Sequence, residues 1–378
     1  MNILNRLTEN FTKVQPLPAG VHHLQATADE KPYRLHLRLN QDGSGLLILN
    51  AATVLQLNPT AAEYAFHFVK GTEPDEAAKQ ISKRYRVDKA TALADFQNFA
   101  DQIHDLISTP DLDPVSFLNF ERVAPHSAGT TLRLDCALTY RLPEATQAQY
   151  APVKRVDREL STDEWKTIMD KAWAAGIPHI VFTGGEATLR DDLMMLIDHA
   201  EKNGQVCGLL TDGLKLADKD YLDMLLQTGL DHVMVILQPN EPRSWKAIET
   251  IVPADLFLTV HLTLTKENAT DAKDILQKLA NLAVENISLS AAESDLLDEL
   301  LALQDIASSL NLTLRWDMPV PYSAMNPISI ETVDDEIPTG AGKAWLYVEP
   351  DGDVLPAQGE PDKVMGNLLK DDWESIIK

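Results

Sequence analysis

Residues Val181 to Leu193 read VFTGGEATLRDDL, an apolar strand followed by two glycines, an acid and the start of a helix. A glycine pair at the end of a strand lets backbone come close to a ligand or to another strand. Gly184, Gly185 and Glu186 are therefore a candidate cofactor turn, with the glutamate as acceptor for an ammonium group. Thr211, Asp212 and Gly213 close the next apolar run, QVCGLLTDG. Without a ligand, the stretch reads as a plain strand-to-helix turn, with Thr188 as N-cap and Asp191 and Asp192 in the first turn. Glu186, Asp212 and Asp135 are the acids on hand for other chemistry, but no nucleophile–base pair accompanies them at a convincing spacing.

The remaining chemistry-bearing residues are few. The chain has 2 cysteines, Cys136 and Cys207, each inside an apolar strand pattern, and both read as core thiols rather than metal ligands or a disulfide. His179 and His199 flank the glycine turn, and the pair His22 and His23 is expected in a loop, where it would bind a metal only weakly. The formal net charge of -24 and the lack of any basic run argue against nucleic acid as a partner. No apolar run reaches the roughly 18 residues of a membrane span, and the first residues have no secretory apolar core, so a cytoplasmic protein is expected.

The elements that must position these residues fall into three patterns. RLHLRLN alternates at period two, QDGSG turns, and LLILN follows, which predicts a hairpin. Three helices come next, the first capped by Asn58 with Pro59 at its first position, and together they form a small winged-helix-like module over 1–108. A proline-punctuated linker, 109–129, is expected to wrap the surface or add an edge strand. From 130 to 330 apolar strands alternate with amphipathic helices, one of them opened by the capping box Ser161 and Glu164. This is an α/β pattern: a parallel sheet covered by helices, closed into a partial (β/α)6-type barrel. The tail, 331–378, predicts a hairpin on PDGD and a short final helix.

Taken in order, these motifs resemble a radical S-adenosylmethionine protein of the peptide-modifying type, with a SPASM-like C-terminal extension. The N-terminal module is similar to the small peptide-recognition domain fused to such enzymes, like the peptide chaperone of pyrroloquinoline quinone synthesis. The resemblance rests on the strand-and-loop LRLDCALTYRLPEATQAQY, on Gly184-Gly185-Glu186-Ala187, on Thr211-Asp212-Gly213 and on the tail DGDVLP with MGNL at 365–368. In the family, three cysteines spaced C-x3-C-x2-C follow the first strand and hold a [4Fe–4S] cluster. Here those positions are Leu142, Thr146 and Gln149, with Tyr150 as the trailing aromatic. Ala357 stands at one auxiliary cysteine position, and Thr339–Gly342 near another.

Iron–sulfur clusters need soft anionic sulfur, which leucine, threonine and glutamine do not supply. The resemblance therefore implies a fold without its cluster and at most weak S-adenosylmethionine binding, at Gly184, Gly185, Glu186, Thr211, Asp212 and Gly213; no other metal is expected. The leading expectation is a non-catalytic subunit that binds a peptide or protein, gripped by strand addition along Leu37–Asn40 or Leu46–Asn50. Two alternatives stay open. One is a non-radical enzyme that reuses the old cavity. The other is a true radical enzyme of the peptide-modifying kind, its cluster assembled with a partner chain.

Overall fold

The structure, a computed structural model, describes residues 15–28, 31–85, 87–109, 121–122, 129–143, 147–315, 318–331 and 339–377. Its contacts divide the chain into two compact units, 1–128 and 129–378.

The first unit is an antiparallel meander followed by three helices. Strands β1 (Gly20–Ala28), β2 (Lys31–Leu39), β3 (Gly45–Leu49) and β4 (Thr53–Leu57) pair in chain order, and β5 (Glu121–Arg122) adds to β4. Period-two alternation puts Leu35, Leu37 and Leu39 on one face, where they meet Phe96, Phe99 and Ile103 from the helix Lys89–Ser108. The helix Pro59–Val69 starts as expected, with the Ala61 N–H donating to the Asn58 side chain at 2.9 Å. The expected hairpin is real, but it is the centre of the sheet and not its border. Leu37–Asn40 and Leu46–Asn50 lie in or beside β2 and β3, which are paired on both sides, so neither segment can receive an added strand. β1 and β4, which the sequence pattern did not single out, enclose them. β4 is partly covered by the two-residue β5, so among the described residues the sheet ends at the nine-residue β1 on one side and at β5 on the other. His22 and His23 lie within β1, not in a loop.

The second unit is built on a sheet of order β12-β11-β10-β9-β8-β7-β6-β13-β14-β15. β6 (Arg133–Thr139), β7 (His179–Gly184), β8 (Val206–Thr211), β9 (His232–Ile236), β10 (Phe257–Leu264) and β11 (Asn286–Ala291) are parallel neighbours in chain order, followed by the two-residue β12 (Thr313–Leu314). Helices 162–174, 193–203, 219–226, 242–251, 272–281 and 297–309 alternate with these strands. This is the α/β architecture that the sequence pattern predicts, a parallel sheet with alternating helices, in a chain that also carries an antiparallel N-terminal module. The Ser161–Glu164 capping box is present with both of its bonds.

The tail enters the same sheet. β13 (Trp345–Val348) runs parallel to β6, and β14 (Asp353–Leu355) and β15 (Gly366–Asn367) continue antiparallel. Each parallel strand has two faces. Leu134, Cys136, Phe182, Cys207, Leu209 and Val235 pack under the helices, while Asp135, Val181, Leu210, Met234 and His261 point the other way.

Candidate functional site

The structure brings the two sequence motifs together through one side chain. Glu186 is 2% exposed, at the end of β7. Its carboxylate accepts the Thr188 N–H at 2.9 Å, the Thr211 hydroxyl at 2.8 Å and the Asp212 N–H at 2.7 Å. Thr211 Oγ1 also accepts the Gly213 N–H at 3.1 Å, and Asp212 accepts the Leu214 N–H at 2.9 Å. Gly213 sits in the left-handed region, φ +75°, where glycine is favoured. Glu186 is thus the N-cap of a short 3-10 turn, Ala187–Leu189, and the following helix starts at Leu193. Thr188 is not the helix N-cap that its sequence position suggests.

The glycine pair is explained by the neighbouring strand. A Cβ on Gly184, φ +127°, would lie 2.2 Å from the Thr139 carbonyl oxygen, and one on Gly185 would lie 2.5 Å from that of Arg141. The backbone here is held to β6 and its loop: the Gly185 N–H donates to Thr139 O at 2.8 Å, and the Glu186 N–H to Arg141 O at 2.9 Å. The Gly184 carbonyl accepts the N–H of Tyr322 at 2.9 Å. Tyr322 belongs to a segment, 318–326, that lies against the non-helical face of the sheet. Its Met318, Val320 and Met325 pack on Val181, Leu210, Met234 and Ile236. Asn326 and Gln358 both donate to Val320 O, at 2.9 and 2.8 Å, and fix the segment's course.

The loop after β6 is built into an apolar cluster. Leu142 is 3% exposed and packs with Ala137, Tyr140, Ala151, Tyr322, Tyr347 and Leu355. Tyr140 and Tyr322 meet edge to face at 5.6 Å, and the Tyr140 hydroxyl donates to Glu349 at 2.9 Å. Glu349 also takes two bonds from Arg155 Nε, at 2.8 and 2.6 Å. Burial pushes the Tyr140 phenol well above its usual range, so it stays protonated as a donor. Gln149 ends up exposed in a short helix, and Thr146 lies outside the described residues. At the tail, the Gly342 N–H donates to Pro356 O at 2.9 Å, which sets the Thr339–Gly342 turn next to Ala357.

The other sequence candidates are dispersed. Cys136 and Cys207 are fully buried under the helices, and burial raises the Cys136 thiol far above its usual range. Asp135 pairs with Arg133 through two bonds of 2.7 and 3.0 Å, a network separate from that of Glu186. His199 pairs with Asp170 at the surface at 2.7 Å. His179 and His232 face each other with Nε2 atoms 2.7 Å apart, and His23 meets His36 across β1 and β2 at 2.9 Å. His261, which the sequence did not single out, bonds Ser288 at 2.9 Å, Ser290 at 3.1 Å and Thr263 at 3.2 Å. Only the period-two polar register of β10 and β11 hints at that cluster.

Residues 136–267 match the model of the Radical SAM superfamily. Among curated proteins, the chain is 27% identical over 272 residues to the PqqA peptide cyclase of Bradyrhizobium diazoefficiens, which covers 63% of this chain and 70% of the relative. It is 26% identical over 264 residues to the enzyme of the same name from Streptomyces rochei, covering 62% and 71%. Streptococcus suis SuiB bound to the precursor peptide SuiA superposes with a TM-score of 0.58 at 13% identity, over 94% of this chain and 88% of that one. SuiB bound to S-adenosylmethionine gives 0.56 at 12% identity, over 94% and 88%. At such identities the SuiB match speaks for the fold. The chain is thus related to radical SAM peptide-modifying proteins, but it carries only 2 cysteines.

The residues present do not fit a [4Fe–4S] cluster. Such a cluster takes about three or four thiolates; the first loop position is a buried leucine, and neither cysteine is near the loop's exposed side. S-adenosylmethionine fits in part. The glycine-turn backbone is already paired, yet two buried hydroxyls beside it, Thr183 and Thr188, have no partner among the described residues.

Proposed function

We propose that this chain is a cluster-free relative of the radical SAM peptide-modifying enzymes that works by binding a peptide or a protein. The observation that carries the reading is Leu142: the first cluster position is part of an apolar core that also holds the 318–326 segment in place. We assign 1–108 to peptide recognition, 109–129 to the linker, 130–330 to the radical SAM-like portion and 331–378 to the SPASM-like extension. The receiving edge for a peptide is β1, by strand addition. Gly184, Gly185, Glu186, Thr211, Asp212 and Gly213 form a remnant S-adenosylmethionine wall of weak affinity.

A catalytic reading is favoured by the relatives themselves, whose names are those of enzymes. One experiment separates the two. The protein is purified anaerobically, reconstituted with iron and sulfide, and assayed for metal and for paramagnetic signals after reduction. The proposal expects less than one iron per chain and no cluster signal. About four irons per chain with a cubane spectrum would establish the catalytic reading instead.

A further inference from the structure

The helix Leu297–Ser309 turns Leu303 and Ala307 into the core of its unit, yet Leu297 and Leu301, one turn apart on its other side, are 52% and 60% exposed. Both are large apolar side chains on a rigid element, at the spacing by which one helix offers a seam to another. Their surroundings are acidic. Glu293, Asp295, Asp298, Glu299 and Asp305 are all exposed around them, and residues 279–314 contain no lysine or arginine. Glu293 and Asp295 pair with Lys266, the latter at 3.0 Å, which leaves Asp298, Glu299 and Asp305 as the acids outside that pairing.

We propose that this face is a docking surface for a basic amphipathic helix of a partner protein. Two leucines supply the apolar contact, and the surrounding carboxylates take lysines or arginines on its flanks. The occupant is set by charge complementarity. A second copy of this chain would bring the same acids against each other, and an anionic membrane would be repelled. The proposal is independent of the peptide edge on β1, which lies in the other unit.

The test uses the full-length chain and a fluorescein-labelled leucine–lysine amphipathic peptide of about four turns, followed by anisotropy at physiological salt. Two control peptides are used: one of the same composition with its periodicity scrambled, and one with glutamate replacing lysine. The proposal expects saturable binding of the amphipathic basic peptide only. Leu297→Ser/Leu301→Ser, which keeps every charge, should weaken binding by at least about ten-fold. Asp298→Asn/Glu299→Gln should weaken it too and flatten its salt dependence. Circular dichroism of each variant checks that the helix is intact. Equal binding of the scrambled peptide, or undiminished binding by the serine variant, would reduce the effect to net charge and overturn the proposal, as would absence of binding.

Discussion

Glu186 is the side chain on which the two motifs depend, because its carboxylate takes three donors that are otherwise buried. Glu186→Gln presents an N–H₂ to one of those donors and leaves it unsatisfied, which costs about 2 kcal/mol. Denaturant unfolding reads this loss directly, and an unchanged midpoint would show that the network is slack. Gly184→Ala is expected to be worse, about 3 kcal/mol or more, because the new Cβ meets a main-chain carbonyl that cannot move aside. His261 gives a pH dependence. Burial lowers it to about 4, against 6.5 in an unfolded chain, so the unfolded state takes up a proton first as pH falls. Stability should be full above about pH 6.5 and decline toward about 4. Melting temperature against pH checks this, and His261→Gln should reduce the slope without removing it, because burial also lowers His23, His179 and His232.

Much of the element scale can be read directly from residue order. The capping box, the asparagine cap and the apolar strand runs name most of the helices and parallel strands, because these are local effects of turn chemistry and periodicity. The glycine turn and Thr211–Gly213 are also visible as motifs, though not the carboxylate that joins them. The segment 318–326, MPVPYSAMN, has prolines and no period, so nothing local tells that it will cover the sheet or meet the Gly184 carbonyl. The tyrosine cluster around Leu142 is similarly hidden, since Tyr140 and Tyr347 are far apart along the chain. β1 and β4 escaped for another reason: GVHHLQATA alternates weakly and TVLQL is short. That covering segment leads to a further expectation. Wild-type protein should bind S-adenosylhomocysteine only weakly by calorimetry, and Val320→Gly/Tyr322→Gly, which strips two side chains from that segment, should bind it more tightly. Equal binding by the two proteins would mean that the segment does not limit access to the glycine turn.

At the scale of the whole chain, two compact units invite separate tests. Residues 1–128 expressed alone should give a cooperative melt, since their core is drawn from their own sheet and helices. A chain ending at residue 330 should not, because it lacks β13 and exposes the β6 edge that β13 covers. Light scattering and a thermal melt decide both, and a well-folded 1–330 fragment would show that the tail is an ornament of the fold.

Arg133 and its partner Trp345 are 212 residues apart, 345 minus 133. A ribosome adding roughly 5–20 residues per second leaves β6 waiting on the order of ten to forty seconds for its neighbour. For that interval the nascent polypeptide carries a naked strand, and its yield in a cell should track chaperone supply more than final stability.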